Sequence, residues 1–109
     1  ESEDEVKRLK PDFAEMKKLD QRGFIVSAPG ESDDFVSRFF CPILGIDEDP
    51  VTGSAHTSLV AYWHEQSGKE EFIARQLSPR GGQLKCKFRG ERVEISGKAV
   101  KYLEGSIHI

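Results

Sequence analysis

The second half of the chain alternates apolar and polar residues over several short stretches that are separated by glycine. In residues 84–89, Leu84, Cys86 and Phe88 alternate with basic side chains, which predicts a strand with one buried face. The same kind of pattern predicts further strands over residues 72–77, around Val93 and Ile95, over residues 99–104 and over residues 106–109. The second half is therefore expected to form an antiparallel sheet.

The first half begins with charged residues and then carries two short apolar runs. Ser2 and Asp12 are placed to cap two short helices, the second over residues 13–19. Residues 24–28 and 35–40 are rich in β-branched and aromatic side chains and are bounded by glycine or proline, which predicts two strands.

Between residues 35–40 and the strand predicted over residues 72–77 lies a run that predicts a helix from Ser54 to about Gln66, with Gly68 as its C-cap. Residues 59–63 are apolar at every position, a pattern typical of a helix that is buried on most sides. In a chain of 109 residues, strands must then surround this helix. We therefore predict an α+β fold, in which a curved, mostly antiparallel sheet (a half barrel) wraps around one central helix and residues 1–109 form a single domain.

Composition narrows the classes of function. The formal net charge of -3 gives no support for a nucleic-acid surface, and no apolar run is long enough to span a membrane. The chain opens on charged residues rather than a signal peptide, and its two cysteines do not form a disulfide framework. The three histidines show no ligand spacing with the cysteines, and no nucleotide or flavin motif is present. We expect a cytoplasmic protein without metal or cofactor.

The stretch from Asp47 to His56 is the main candidate for chemistry, because it predicts an acidic loop that runs into the start of the helix. The N–H groups of a helix's first turn attract anions, and Gly53 lets a ligand approach the backbone closely. This stretch can therefore bind a carboxylate or phosphate beside Asp49. The alternative is a solvated acidic turn in which Thr52 and Ser54 are ordinary helix caps.

Other candidate residues also have two interpretations. His56 is either a hydrogen-bonded, partly buried side chain or a neutral imidazole close to a ligand. The Arg80-Gly81-Gly82 segment is either a hairpin turn or an arginine and two backbone N–H groups near a bound anion. Cys41 and Cys86 lie in apolar strand contexts and are interpreted as inert core thiols.

These residues also match a known family. The run from Glu48 to His56 (EDPVTGSAH), with Tyr62-Trp63, Gln76, Ser78, Arg80-Gly81-Gly82 and Gly97 after it, resembles the C-terminal half of the phenazine-biosynthesis-like (PhzF-like) isomerases. That family is similar in fold to diaminopimelate epimerase. The resemblance implies two related halves, each a curved sheet around a central helix, with the active site in the cleft between them.

The resemblance also implies roles for individual residues. Asp49 matches the active-site aspartate of the C-terminal half, and Gly53 and Ser54 match the positions that hold the substrate carboxylate. Thr52, His56, Arg80 and Gly81 match motif positions without an assigned contact. The family's main proton-transfer glutamate and a supporting histidine come from the N-terminal half, which nothing in this sequence resembles.

Two classes of function follow. We expect the C-terminal half of a cofactor-independent isomerase or epimerase that acts by proton transfer on a small carboxylate-bearing metabolite and is inactive without the other half. The alternative is a non-catalytic domain that binds small anions or another protein while keeping the fold. Association of two copies into a homodimer is a further option.

Overall fold

The helices and strands of the described chain are built around one sheet. A computed structural model describes residues 2–109. The elements are α1 (Glu3–Arg8), α2 (Phe13–Met16), β1 (Phe24–Pro29), β2 (Phe35–Cys41), a 3-10 turn (Pro42–Leu44), β3 (Ile46–Glu48), α3 (Gly53–Ser67), β4 (Glu71–Gln76), β5 (Gly82–Arg89) and β6 (Arg92–Ser96). These elements confirm the predicted α+β class and most of the predicted strands.

The six strands form one open, curved sheet in the order β1-β2-β4-β5-β6, with β3 pairing with the far end of β2. All pairs are antiparallel except β2 and β4, which run parallel with Phe35 opposite Ala74. The helix α3 forms the long connection that a parallel pair requires. This arrangement sets the start of α3 beside the sheet.

Strand β2 divides the core into two layers because successive side chains point to opposite faces. Phe35 lies in the larger cluster, which packs on α3, whereas Val36 lies in a smaller cluster with Val6 of α1. The larger cluster comprises Phe35, Ala55, Leu59, Val60, Phe72, Ala74, Leu84 and Cys86. Helices therefore lie on both faces of the sheet.

The two N-terminal helices begin where their caps predict. Ser2 and Glu5 form a reciprocal capping box at α1, and Asp12 accepts the N–H of Glu15 at α2. Helix α2 ends at Met16, however, and not at Leu19 as predicted. Leu19 is 52% exposed, so its side chain adds little packing energy to extend the helix.

Helix α3 is less enclosed than its apolar run predicts. Its buried residues are Ala55, His56, Leu59 and Val60, all on the side that faces the sheet. Ala61 is exposed, and Tyr62 is 51% exposed. The predicted curved sheet around a helix is therefore confirmed, but the sheet encloses α3 from one side and leaves the opposite side exposed.

The strands predicted over residues 99–104 and 106–109 do not form, so that prediction is wrong. In the described residues no strand follows Ser96, and the side chains from Gly97 onward are exposed. Val100 and Ile107 are about nine-tenths exposed, at 93% and 90%. Alternation alone does not make a strand, since a strand also needs a neighbour to accept its backbone hydrogen bonds.

Candidate functional site

The loop between β3 and α3 carries the predicted site and is tied to the sheet at its first residue. The backbone N–H of Asp49 donates to the carbonyl of Phe39 at 3.0 Å, which continues the pairing of β3 with β2. Just before it, Glu48 forms a two-pronged ion pair with Arg38, at 2.8 and 2.9 Å. Asp49 is thus anchored on the backbone side, which leaves its carboxylate to be oriented by the loop.

Thr52 orients the Asp49 carboxylate. Its hydroxyl donates to Oδ2 of Asp49 at 2.5 Å, and its backbone stands at the N-cap position of α3. The prediction that Thr52 caps the helix with its hydroxyl is wrong, since that hydroxyl makes no capping hydrogen bond. Ser54 lies inside the helix as its second residue, so it is not the N-cap either.

The first turn of α3 is consequently open. Gly53 and Ser54 are both exposed, and within the described chain no side chain caps their N–H groups. A methyl group built on Gly53 would meet no heavy atom within 4 Å. The turn also contains no acidic residue. It therefore combines free donors, the positive end of the helix dipole and room for a ligand.

Gln76, the last residue of β4, holds this loop through its side-chain amide. The side chain is fully buried, at 0% exposure. Its Oε1 accepts the N–H of Thr52 at 2.8 Å, and its Nε2 donates to the carbonyl of Asp49 at 2.7 Å. Nε2 also lies 3.1 Å from Oγ1 of Thr52. One amide therefore satisfies both ends of the turn that carries Asp49.

His56 is buried directly behind the site. Its Nδ1 lies 2.7 Å from the carbonyl of Thr52, and because a carbonyl only accepts, Nδ1 carries the proton. Nε2 has no hydrogen-bond partner in residues 2–109. Burial lowers the pKa of His56, so the ring is neutral. His56 supports the backbone of Thr52 and does not face the open first turn with a charge.

The Arg80-Gly81-Gly82 turn packs against the loop. Ser78 donates its hydroxyl to the carbonyl of Pro50 at 2.8 Å and accepts the N–H of Gly81 at 2.9 Å. Gly81 has a φ of 71°, and a Cβ on Gly82 would lie 2.2 Å from Val51. The N–H of Gly81, considered above for an anion, is therefore already occupied. Arg80 is exposed at the surface.

Both cysteines are free and buried. Burial raises the pKa of Cys86 to about 11. Burial, and after it the nearby Asp49 carboxylate, raises the pKa of Cys41. Both thiols are therefore protonated at neutral pH, as the interpretation of inert core thiols requires.

The part played by Gln76 was not predicted from the sequence. Phe72, Ala74 and Gln76 share one face of β4, and that face is buried. An amide in line with two core residues is a signal that could have been used, because a buried polar side chain needs partners. Nothing in the local sequence, however, indicates that those partners lie 24 and 27 residues earlier in the chain.

Comparison with known proteins identifies the family. The family described as "Phenazine biosynthesis-like protein" matches residues 1–105. The chain belongs to the phenazine biosynthesis-like (PhzF) family. The resemblance carried by the run from Glu48 to His56 is thus confirmed over nearly the whole chain.

Relatives and solved structures agree with this assignment. The chain is similar to an uncharacterized isomerase of Pseudomonas aeruginosa, at 52% identity over all of this chain and 42% of that protein. An uncharacterized isomerase of Halalkalibacterium halodurans is 46% identical over 98% of this chain and 41% of its own length. A putative phenazine biosynthesis PhzC/PhzF protein from Clostridium difficile superposes with a TM-score of 0.87, at 49% identity over 99% of this chain and 42% of that one.

The coverage of these relatives is partial. The chain spans about two-fifths of their length and corresponds to their C-terminal part. The PhzF-family structure from Enterococcus faecalis gives the same result, with a TM-score of 0.86 and 38% of that chain covered. The names of these relatives support an isomerase at the level of the family, and the activity of the whole protein is a matter for proposal.

Residues 2–109 lack two further features. None of the helices has the length and apolar character needed to cross a membrane. No three or more His, Cys, Asp or Glu side chains are grouped so that they could hold a metal ion. The predicted cellular location remains a prediction.

Proposed function

We propose that this chain supplies the carboxylate-binding half of a PhzF-family isomerase, which moves a proton on a small carboxylate-bearing metabolite. The observation that carries the proposal is the pairing of an oriented carboxylate with an uncapped helix start. Asp49 is held through Oδ2 by Thr52, the residue from which α3 begins. In the described residues its Oδ1 has no hydrogen-bond partner.

The backbone N–H groups of Gly53 and Ser54 bind the substrate carboxylate, aided by the Ser54 hydroxyl. When a C–H bond next to a carboxylate breaks, the electron pair moves toward the carboxylate oxygens, and negative charge grows there. Fixed N–H donors and a helix dipole stabilise that charge in the transition state. The first turn of α3 therefore favours proton removal as well as binding.

Asp49 acts on the proton. A carboxylate held by one oxygen leaves the other free to accept a proton from the substrate or to return it. Return to another carbon gives an isomer, and return to the opposite face of the same carbon gives an epimer. A second proton carrier, expected by resemblance from the N-terminal half, completes the transfer.

Because the chain spans only part of the length of its relatives, we expect it to bind a carboxylate without converting a substrate. Proton carriers and binding donors must be positioned together for efficient catalysis, and the chain spans 42% of the P. aeruginosa relative. We expect no isomerase turnover from this chain alone. Turnover that Asp49→Asn abolishes would contradict this expectation. Carboxylate binding with no turnover even in the whole parent protein would favour the non-catalytic alternative.

The test is a two-dimensional NMR titration of this chain with small carboxylates such as acetate and succinate. We expect saturable shifts of the Gly53, Ser54 and Ala55 amides, weakened by Ser54→Ala and changed by Asp49→Asn. Ser58→Ala is the matched control, because Ser58 is exposed on the same helix one turn beyond the site. Well-dispersed spectra without shifts at the start of α3 would contradict the proposal.

A further inference from the structure

The partners of Gln76 fix which way its amide faces. The N–H of Thr52 requires an acceptor, and the carbonyl of Asp49 requires a donor. The reverse orientation would set N–H against N–H and oxygen against oxygen inside the core, where unpaired polar groups are costly. Oε1 therefore faces the Thr52 N–H, and Nε2 faces the Asp49 carbonyl.

This orientation fixes the Thr52 hydroxyl in turn. With one N–H of Nε2 on the Asp49 carbonyl, the other points to Oγ1 of Thr52 at 3.1 Å and occupies a lone pair there. The single hydroxyl hydrogen is then directed to Oδ2 of Asp49 at 2.5 Å. The direction of donation runs from Gln76 to Thr52 to Asp49.

We propose that Gln76 is a positioning residue of the site, which holds the Asp49 carboxylate in one rotamer through the Thr52 hydroxyl. Since Oδ2 is committed to accepting that hydroxyl, a proton that Asp49 takes up is directed to Oδ1, the oxygen without a partner among residues 2–109. The catalytic meaning of this arrangement rests on the proposed function of Asp49. The positioning itself does not, because it concerns contacts inside the free chain.

Wild-type chain labelled with ¹³C and ¹⁵N provides the first test. We expect scalar couplings across the hydrogen bonds from Gln76 Nε2 to the Asp49 carbonyl carbon and from Thr52 N to the Gln76 side-chain carbonyl carbon. The three-bond couplings of Asp49 Cγ to its own backbone N and carbonyl carbon should fit a single χ1 rotamer. Absent hydrogen-bond couplings together with averaged Asp49 couplings would overturn the proposal.

Variants then test the route through the hydroxyl. Thr52→Val, which keeps the shape but removes the hydroxyl, should average the Asp49 couplings over rotamers, and Thr52→Ser should restore the single rotamer. Gln76→Met should also average them, and the double variant Gln76→Met/Thr52→Val should be no more averaged than either single variant. If Gln76→Met does not fold, the wild-type couplings and the Thr52 pair decide the matter.

Gln83→Met is the matched control, since Gln83 lies on the neighbouring strand, is exposed and donates to a different aspartate, Asp33, at 2.8 Å. It should leave the Asp49 couplings unchanged. Single-rotamer couplings that survive Thr52→Val or Gln76→Met in folded protein would overturn the proposal. Averaged couplings in these variants, with no carboxylate binding by any form, would support the positioning role and contradict the proposed function.

Discussion

Thr52 stands at the N-cap of α3, and its hydroxyl donates to Oδ2 of Asp49 at 2.5 Å. An N-cap hydroxyl ordinarily accepts an N–H of the first helical turn. Here the hydroxyl donates to a carboxylate and accepts no N–H of the helix. The N–H groups of Gly53 and Ser54 therefore remain open to a ligand. One side chain thereby links an oriented proton carrier to an anion-binding helix start.

Gly82 lies so close to Val51 that a larger residue at position 82 does not fit in the turn beside the site. A methyl group on Gly82 would lie 2.2 Å from Cγ2 of Val51, which forces one of them to move. We expect Gly82→Ala to lower the free energy of unfolding by about 1–3 kcal/mol, measured by urea denaturation. Val51→Ala in that background should recover part of the loss.

Gly97→Ala is the control for this prediction, because its Cβ would meet one atom only, at 4.0 Å. An equal loss in Gly82→Ala and Gly97→Ala would show that the glycine backbone and not the contact with Val51 is responsible.

Arg38 ties the first helix to the strand that leads to the site. It pairs with Glu48 and also donates to the carbonyls of Val6, at 3.1 Å, and Leu9, at 2.7 Å. The two charged side chains are only 11% and 12% exposed. Arg38→Met leaves Glu48 unpaired, so we expect a loss of about 3–5 kcal/mol in the free energy of unfolding.

The matched control is Arg89→Met, whose pair with Glu94 is exposed at 55% and 60%. It should cost at most about 1 kcal/mol by the same denaturation measurement. Comparable losses in the two variants would contradict the importance given to burial of the Arg38 pair.

His56 should make the stability of the chain depend on pH. Burial lowers the pKa of His56 below its ordinary value of 6.5, so the folded chain binds this proton less tightly than the unfolded chain. The stabilisation is complete above about pH 6.5 and is lost as the pH falls toward the folded pKa. The free energy of unfolding should therefore decrease from pH 7.5 to pH 5.

The measurement compares denaturation curves of the wild type and His56→Asn across that range. The variant keeps an N–H near the Thr52 carbonyl but cannot take up the proton, so it should lose the steepest part of the pH dependence. His108→Asn, at an exposed position, should keep it. Parallel pH profiles for the wild type and His56→Asn would contradict the prediction.

The sequence predicted those parts of the fold that depend on local pattern. Residues 84–89 alternate regularly and form most of β5, up to its last residue. The predicted C-cap Gly68 ends α3 in the left-handed conformation, with a φ of 72°. In such segments, one buried face and one turn residue are sufficient information.

The errors arose where distant residues decide the outcome. The apolar run after Leu59 could not show that Tyr62 is exposed, because that depends on which side the sheet covers. The hydroxyl of Thr52 turns away from its helix because Gln76, 24 residues later, occupies the other side of its oxygen. Pattern gives the location of the candidate site, whereas the direction of its hydrogen bonds depends on tertiary contacts.

The most direct test of the carboxylate site removes a single backbone donor. Thr52 is extended, with φ of -120° and ψ of 103°, which suits a residue before proline, and proline is well tolerated at the first helical position. Gly53→Pro should therefore keep α3 while deleting one N–H, and Gly53→Ala should keep the N–H. We would titrate both variants with acetate, following the Ser54 and Ala55 amides.

We expect Gly53→Pro to weaken acetate binding by about tenfold or more, as the loss of a hydrogen bond to a charged group implies. Gly53→Ala should stay within a few-fold of the wild type. Equal affinity of Gly53→Pro and the wild type, in folded protein, would contradict the assignment of the carboxylate site to the start of α3.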